Sequence, residues 1–69
     1  MEQDSPVGRI ARVTGRVGPG RVGEVMVSIR GGSEAFHAYP FTPGDAFETG
    51  TQVLVVDYQP PRNVYVSSL

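Results

Sequence analysis

The sequence predicts an all-β fold, a small five-stranded Greek-key barrel forming a single domain. Three observations carry that expectation. Valine fills eleven of the 69 positions, and β-branched side chains suit the pleated, half-buried surface of a sheet. Nine Gly and six Pro punctuate the chain more densely than a helical bundle tolerates. Between those breaks, apolar residues recur mostly at every second position, the period of a strand.

The chain opens on Met1-Glu-Gln-Asp-Ser-Pro6, a polar stretch ending in proline. It reads as a disordered or added lead-in over residues 1–6, leaving the domain at 7–67. The first strand is expected within Val7–Val17, with apolar residues at 7, 11, 13 and 17 and Arg12, Thr14 and Arg16 in the other phase. Arg9 and Ile10 break that alternation, which predicts a bulge near Gly8. Gly18-Pro19-Gly20 closes the strand, since Pro sets φ and Gly permits positive φ.

Arg21–Arg30 carries the cleanest alternation, with Val25, Val27 and Ile29 on one face and Glu24, Met26, Ser28 and Arg30 on the other. That is a half-buried strand. Gly31-Gly32 then signals a hairpin into a third strand, Glu34–Tyr39, with Phe36 and Ala38 in one phase. Pro40 to Gly50 is the longest weakly patterned segment, and its Pro43-Gly44 and Thr49-Gly50 predict a structured loop. Thr51–Tyr58 is a continuous apolar run whose Val53 and Val55 oppose Leu54 and Val56, the pattern of a central strand covered in part on both faces. After a turn at Gln59-Pro60-Pro61-Arg62, Asn63–Ser67 forms the fifth strand, with Val64 and Val66 inward.

An open sheet of five short strands leaves two raw edges, whereas a barrel covers the apolar face and removes them. An oligonucleotide/oligosaccharide-type barrel (OB-fold) and an SH3-like barrel both fit. The long connection between strands three and four favours the OB type.

Composition narrows the chemistry. Without Cys there is no thiolate ligand or Cys nucleophile, and one His does not build an imidazole-rich zinc site. No cofactor is implied. A net charge of −1 argues against a nucleic-acid footprint, which normally needs a basic excess. No apolar run reaches the roughly 18 residues that span a bilayer, and the N-terminus lacks the blocks of a signal peptide.

The order of these signals resembles a known family. Gly8-Arg-Ile-Ala-Arg-Val-Thr-Gly15 is followed by Gly20-Arg-Val-Gly-Glu-Val-Met-Val27, the aromatic strand Glu34-Ala-Phe-His-Ala-Tyr39, Phe47-Glu-Thr-Gly-Thr-Gln-Val-Leu-Val-Val56 and a closing Asn63-Val-Tyr-Val66. The set is similar to the C-terminal soluble domain of NfeD-like proteins over roughly residues 7 to 67. Its most specific element is Gly50, placed three residues before the first Val of the fourth strand. The sequence departs from the family where Pro60-Pro61 replaces a short Gly-containing turn and Val64 stands where Leu is frequent. Phe36-His37-Ala38 and Tyr39 offer two registers for strand three.

The resemblance implies a non-enzymatic OB barrel that serves protein interaction or assembly. Its implied partners are membrane scaffold proteins of the stomatin, prohibitin or flotillin type, and its implied place is the cytoplasmic face of a membrane complex. The membrane is reached only through a parent chain or a partner. The missing span then reads as a domain cut from, or descended from, a membrane protein. The alternative class is a single-stranded nucleic-acid binder using Arg12, Arg16, Tyr39 and Tyr65. Self-association through Val-rich strands is a further expectation.

The candidate interaction residues are Arg12, Arg16, Arg21, Tyr39, Phe41 and Tyr65. Five Arg and three acids lie in residues 1–30, against one Arg and four acids in the remainder. Arg12 and Arg16 on one face of strand one would make a basic stripe for a partner's acids, whereas a solvated strand edge is the plainer account. Loop aromatics either plug a barrel end or anchor a partner: Phe47 is expected to be a plug, and Phe41 fits either role and is the residue to mutate for an interaction defect. His37 has Asp45, Glu48 and Asp57 as its nearest following carboxylates, and Ser28 or Ser33 completes a triad on paper. No nucleophile-elbow or oxyanion motif surrounds them, so His37 reads as a strand residue. The glycines at 15, 18, 20 and 23 lack the Gly-Lys-Ser/Thr ending and following helix of a phosphate loop, so they read as turn chemistry.

Overall fold

A computed structural model describes residues 5–29 and 31–69. Five strands follow in order: β1 (Ile10–Gly15), β2 (Gly23–Ile29), β3 (Gly32–Pro40), β4 (Gln52–Gln59) and β5 (Asn63–Ser68). They pair in the order β1-β2-β3-β5-β4 and close through β1 and β4 into a barrel. Every pairing is antiparallel except β3 with β5. This is the Greek-key barrel of the OB type, with its long loop between β3 and β4 as the sequence predicts. No helix occurs among the described residues.

The alternation on each strand becomes an inside and an outside. Val25, Val27 and Ile29 of β2, Phe36 and Ala38 of β3, Val53 and Val55 of β4, and Val64 and Val66 of β5 all point into the core. Ala11, Val13, Val17 and Phe47 complete it. Most of these side chains are Val, whose stiff χ1 and compact shape suit the narrow interior of a five-stranded barrel. Strand three takes the register that buries Phe36 and Ala38 and leaves Tyr39 half-exposed on the outer surface.

Several boundaries differ from the sequence expectation. The irregularity near Gly8 is a turn: Gly8 has φ +86°, and the Arg9 N–H donates to the Pro6 carbonyl at 3.1 Å. The strand begins only at Ile10, which faces solvent, so the conflicting phase there is outward-pointing surface. The bulge of β1 lies between Val13 and Gly15 instead. In a closed barrel β4 is not central, because every strand has two neighbours; Leu54 and Val56 on its outer side are half-buried. A second bulge between Val55 and Asp57 reverses its phase and turns Tyr58 toward the core, where it packs edge-on against Phe36 with centroids 5.9 Å apart. Ile29 pairs with Gly32, so the β2–β3 turn falls one residue before the expected Gly31-Gly32 and Gly32 begins β3. Of the expected lead-in, residues 1–4 lie outside the described residues, as does Arg30, and Pro6 is buried.

Candidate functional site

The β1–β2 and β3–β4 connections are built alike where they leave the barrel. Each carries a Pro-Gly pair in a four-residue turn, Gly18-Pro19-Gly20-Arg21 and Thr42-Pro43-Gly44-Asp45. The Arg21 N–H donates to the Gly18 carbonyl at 3.4 Å, and the Asp45 N–H to the Thr42 carbonyl at 3.1 Å. Proline at the second position fixes a negative φ, and Gly20 and Gly44 take φ +74° and +95° at the third. That combination defines a type II turn, and any residue with a side chain is strained at the third position.

The two turns are tied together at their bases. Val17 and Phe47 exchange both backbone hydrogen bonds, at 3.0 and 2.8 Å, and both side chains are buried. Phe47 is the plug the sequence predicts, and its backbone also anchors the loop across the barrel end. The Phe41 N–H donates to the Val66 carbonyl at 2.8 Å, fixing the start of the loop on β5.

Between these turns lies an open groove of about 490 Å³ lined by Gly18, Pro19, Gly20, Arg21, Val22, Tyr39, Pro40, Pro43 and Tyr65. Its floor is the Tyr39–Tyr65 pair. These residues are directly opposed in the parallel β3–β5 register, and their rings lie 5.6 Å apart with planes tilted by 31°. The closest strand neighbours on the outer face are therefore two aromatic rings, an arrangement worth about 0.5–1.5 kcal/mol beyond area burial. Arg21 is the one charged residue in the lining, and Val22 at the rim is 56% exposed.

The structure thus gathers three of the six candidate residues, Arg21, Tyr39 and Tyr65. Phe41 follows the groove's Pro40 directly and is itself exposed. Arg12 is elsewhere. It stands on β1 opposite Met26 and Gln52, and β1 is the strand that pairs with neither β3 nor β5. Arg16 lies past the end of β1, and its Nε is 3.0 Å from the Glu48 carboxylate. The Arg-rich first half meets the acidic second half where Arg16 pairs with Glu48, whereas Arg62 and Glu34, 3.3 Å apart, both belong to the second half.

Pro19, Val22, Pro40 and Pro43 also line the groove, and no local pattern in the sequence singles them out for it. The repeated Pro-Gly signal was present in the chain, but only the closed barrel brings 18–22, 39–43 and 65 together.

The surface that OB barrels commonly use, over β2 and β3 and beside the β4–β5 turn, has a different character here. A shallow hollow of about 310 Å³ there is lined by Glu24, Ala35, Phe36, His37 and Arg62. The Arg62 guanidinium lies 5.4 Å over the Phe36 ring and donates to the Ala35 carbonyl. Glu24 is held by Thr14, whose hydroxyl donates to its carboxylate at 2.8 Å. The one Arg of this lining is engaged by Phe36, the Ala35 carbonyl and Glu34, and Glu24 lies beside it, so the face offers no track of free cations for a phosphate backbone.

His37 is exposed and lies across from Glu24 of β2. None of the expected carboxylates is its strand partner: Glu48 pairs with Arg16, Asp57 accepts from the Tyr58 N–H, and Asp45 closes the loop turn. Ser28 and Ser33 face each other four residues farther along the hairpin. At about 3.3 Å per residue they are roughly 13 Å away, so no Ser-His relay is assembled. Among the described residues no group of His and carboxylates has the spacing to hold a metal, and no polar side chain is buried. The glycine run is also more than turn chemistry. Gly15 sits at the β1 bulge, and Gly23 allows β2 to pass close beneath residues 15–17.

A closed barrel of the OB type, with no buried polar side chain among the described residues and an aromatic, proline-walled groove outside it, defines the class as a small all-β barrel domain. The family can be stated directly: the sequence model of the NfeD C-terminal domain matches residues 10–67, and this chain belongs to that family. Two solved structures are similar to it. The soluble domain of the NfeD protein YuaF from Bacillus subtilis, determined in solution, aligns with a TM-score of 0.79 and 31% identity, over 94% of this chain and 75% of that one. The crystal structure of the soluble domain of a membrane protein implicated in regulation of membrane protease activity, from Corynebacterium glutamicum, aligns with a TM-score of 0.68 and 28% identity, over 93% and 97% of the two chains. No curated protein matches the chain. Among the described residues no helix is long and apolar enough to cross a membrane.

Proposed function

We propose that this chain is a non-enzymatic protein-interaction and assembly module that docks a protein partner in the Tyr39–Tyr65 groove. The observation that carries this reading is the groove itself. Rings, prolines and one Arg converge there on a surface held by two tight turns, so little ordering entropy remains to oppose binding. Tyr and Arg are the residue types that most often dominate interface energetics.

The partner is a membrane scaffold protein of the stomatin, prohibitin or flotillin type, met at the cytoplasmic face of a membrane complex. Family membership and the membrane-protein origin of the similar Corynebacterium glutamicum domain support that setting. The test is retention of the chain by such a scaffold protein from the same source, reconstituted in vesicles. Wild-type chain is expected to co-sediment, and Tyr39→Ala with Tyr65→Ala to lose about 2 kcal/mol or more of binding, roughly thirtyfold. Equal retention of wild type and variant would refute the groove as the docking site.

A further inference from the structure

We infer that the groove takes an extended, proline-containing segment of the partner in the polyproline II conformation, with a carboxylate of that segment seated against Arg21. This rests on the interaction reading above and specifies what occupies the site.

The closed barrel excludes the commonest way a sheet recruits a peptide. Strand addition needs a run of unpaired edge, and beneath the groove β5 is paired by β3 and β4 while β3 is paired by β5 through Pro40 and by β2 as far as Ala38, so only Tyr39 and Pro40 lack a β2 partner and Pro40 has no N–H to donate. A segment docking here is recognised through side chains and ring faces. The Tyr39 and Tyr65 hydroxyls donate to no acceptor among the described residues, in contrast to Tyr58, whose hydroxyl donates to the Pro61 carbonyl at 3.2 Å. Two adjacent phenols lining the groove therefore carry O–H groups with no internal acceptor among the described residues. A polyproline II segment has the complementary chemistry, since its carbonyls make no internal hydrogen bonds and its proline rings pack on aromatic faces. It is also largely ordered before it binds, which lowers the entropic cost.

Charge supplies the second constraint. Arg9 donates to the Ser5 and Ser28 carbonyls, and Arg16 and Arg62 have carboxylate partners, whereas the Arg21 guanidinium has none among the described residues. No acid lines the groove with it. One unpaired cation beside an apolar floor fits a single carboxylate on an otherwise apolar segment. A nucleic acid would need a track of cations along its backbone.

Selection from a phage-displayed library of random peptides tests this with the chain as bait. Wild type is expected to enrich peptides that combine Pro with Asp or Glu. Arg21→Glu is expected to shift the charged position of the enriched clones to Lys or Arg, and Tyr39→Ala to lose the clones. A synthetic peptide of the enriched sequence should bind Arg21→Glu at least about tenfold more weakly, with affinity regained when its acid is changed to Lys. Arg21 is exposed in a turn, so an unchanged circular dichroism spectrum and urea midpoint are expected; Arg21→Gln repeats the comparison if the reversal perturbs folding. Enriched clones lacking Pro, an unaltered charge preference in Arg21→Glu, or no clones above background would overturn the inference. So would self-association of the chain abolished by Tyr39→Ala, which assigns the groove to a second copy. Tyr-dependent clones of another composition would overturn the occupant and leave the docking site standing, whereas equal scaffold retention by the Tyr variants refutes the docking site itself.

Discussion

A Cβ built at Gly23 would lie 2.6 Å from Val17 Cγ2 and 2.7 Å from the Arg16 carbonyl oxygen. The position has no room for any side chain, because here β2 begins directly against the backbone leaving β1. Gly23→Ala is expected to destabilise the fold by about 1–3 kcal/mol, the usual cost of overpacking, read as a lower urea midpoint at unchanged slope. Arg16→Ala is expected to change stability by less than about 1 kcal/mol, because its pair with Glu48 is largely solvent-exposed. A large loss in the same measurement would show a structural role the geometry does not provide. At this scale the sequence was informative about orientation and silent about partners. Alternation placed Val25, Phe36 and Val64 inward, and the His37–Glu24 pairing follows once the hairpin turn is located. Nothing local to Arg16 or Arg62 pointed to Glu48 or Glu34, which arrive from the β3–β4 loop and from β3.

The elements carry a different lesson in the β3–β4 loop. Its path is set by Phe47, whose ring enters the core and whose backbone pairs with Val17. Phe47→Ala is expected to cost about 3–5 kcal/mol, as for other buried aromatic truncations. It should also raise the amide exchange of Val17 and Phe47 before that of β2 and β3, because the β2–β3 ladder is untouched. Uniform loss of protection would mean the loop is not a separable anchor. The Pro-Gly turns were readable from their residues, since the turn type demands that chemistry. The bulges at Val13/Gly15 and Val55/Asp57 were not. Gly15 stands at the first but reads equally as turn chemistry, and no residue type marks the second, whose extra residue turns Tyr58 inward against the phase of Val53 and Val55.

For the whole molecule, closure of β1 onto β4 decides what the surface can do. It gives every strand a neighbour on each side and spreads the basic and acidic halves of the chain around one barrel. A chain of net charge −1 with Arg12 across the barrel from the Tyr pair is not expected to bind single-stranded oligonucleotide. Micromolar affinity falling steeply with added salt would contradict this. The barrel class was legible because strand count, loop length and Val-Gly spacing agree with one another. The groove was not, since Tyr39, Tyr65 and Pro19 become neighbours only through the β3–β5 pairing and the loop anchor. The most direct test of the central claim is a residue-by-residue amide NMR map of the chain as the scaffold protein is added. Selective broadening at Gly20, Arg21, Val22, Tyr39 and Tyr65 is the predicted result, and broadening centred instead on Arg12, Thr14 and Met26 would contradict it.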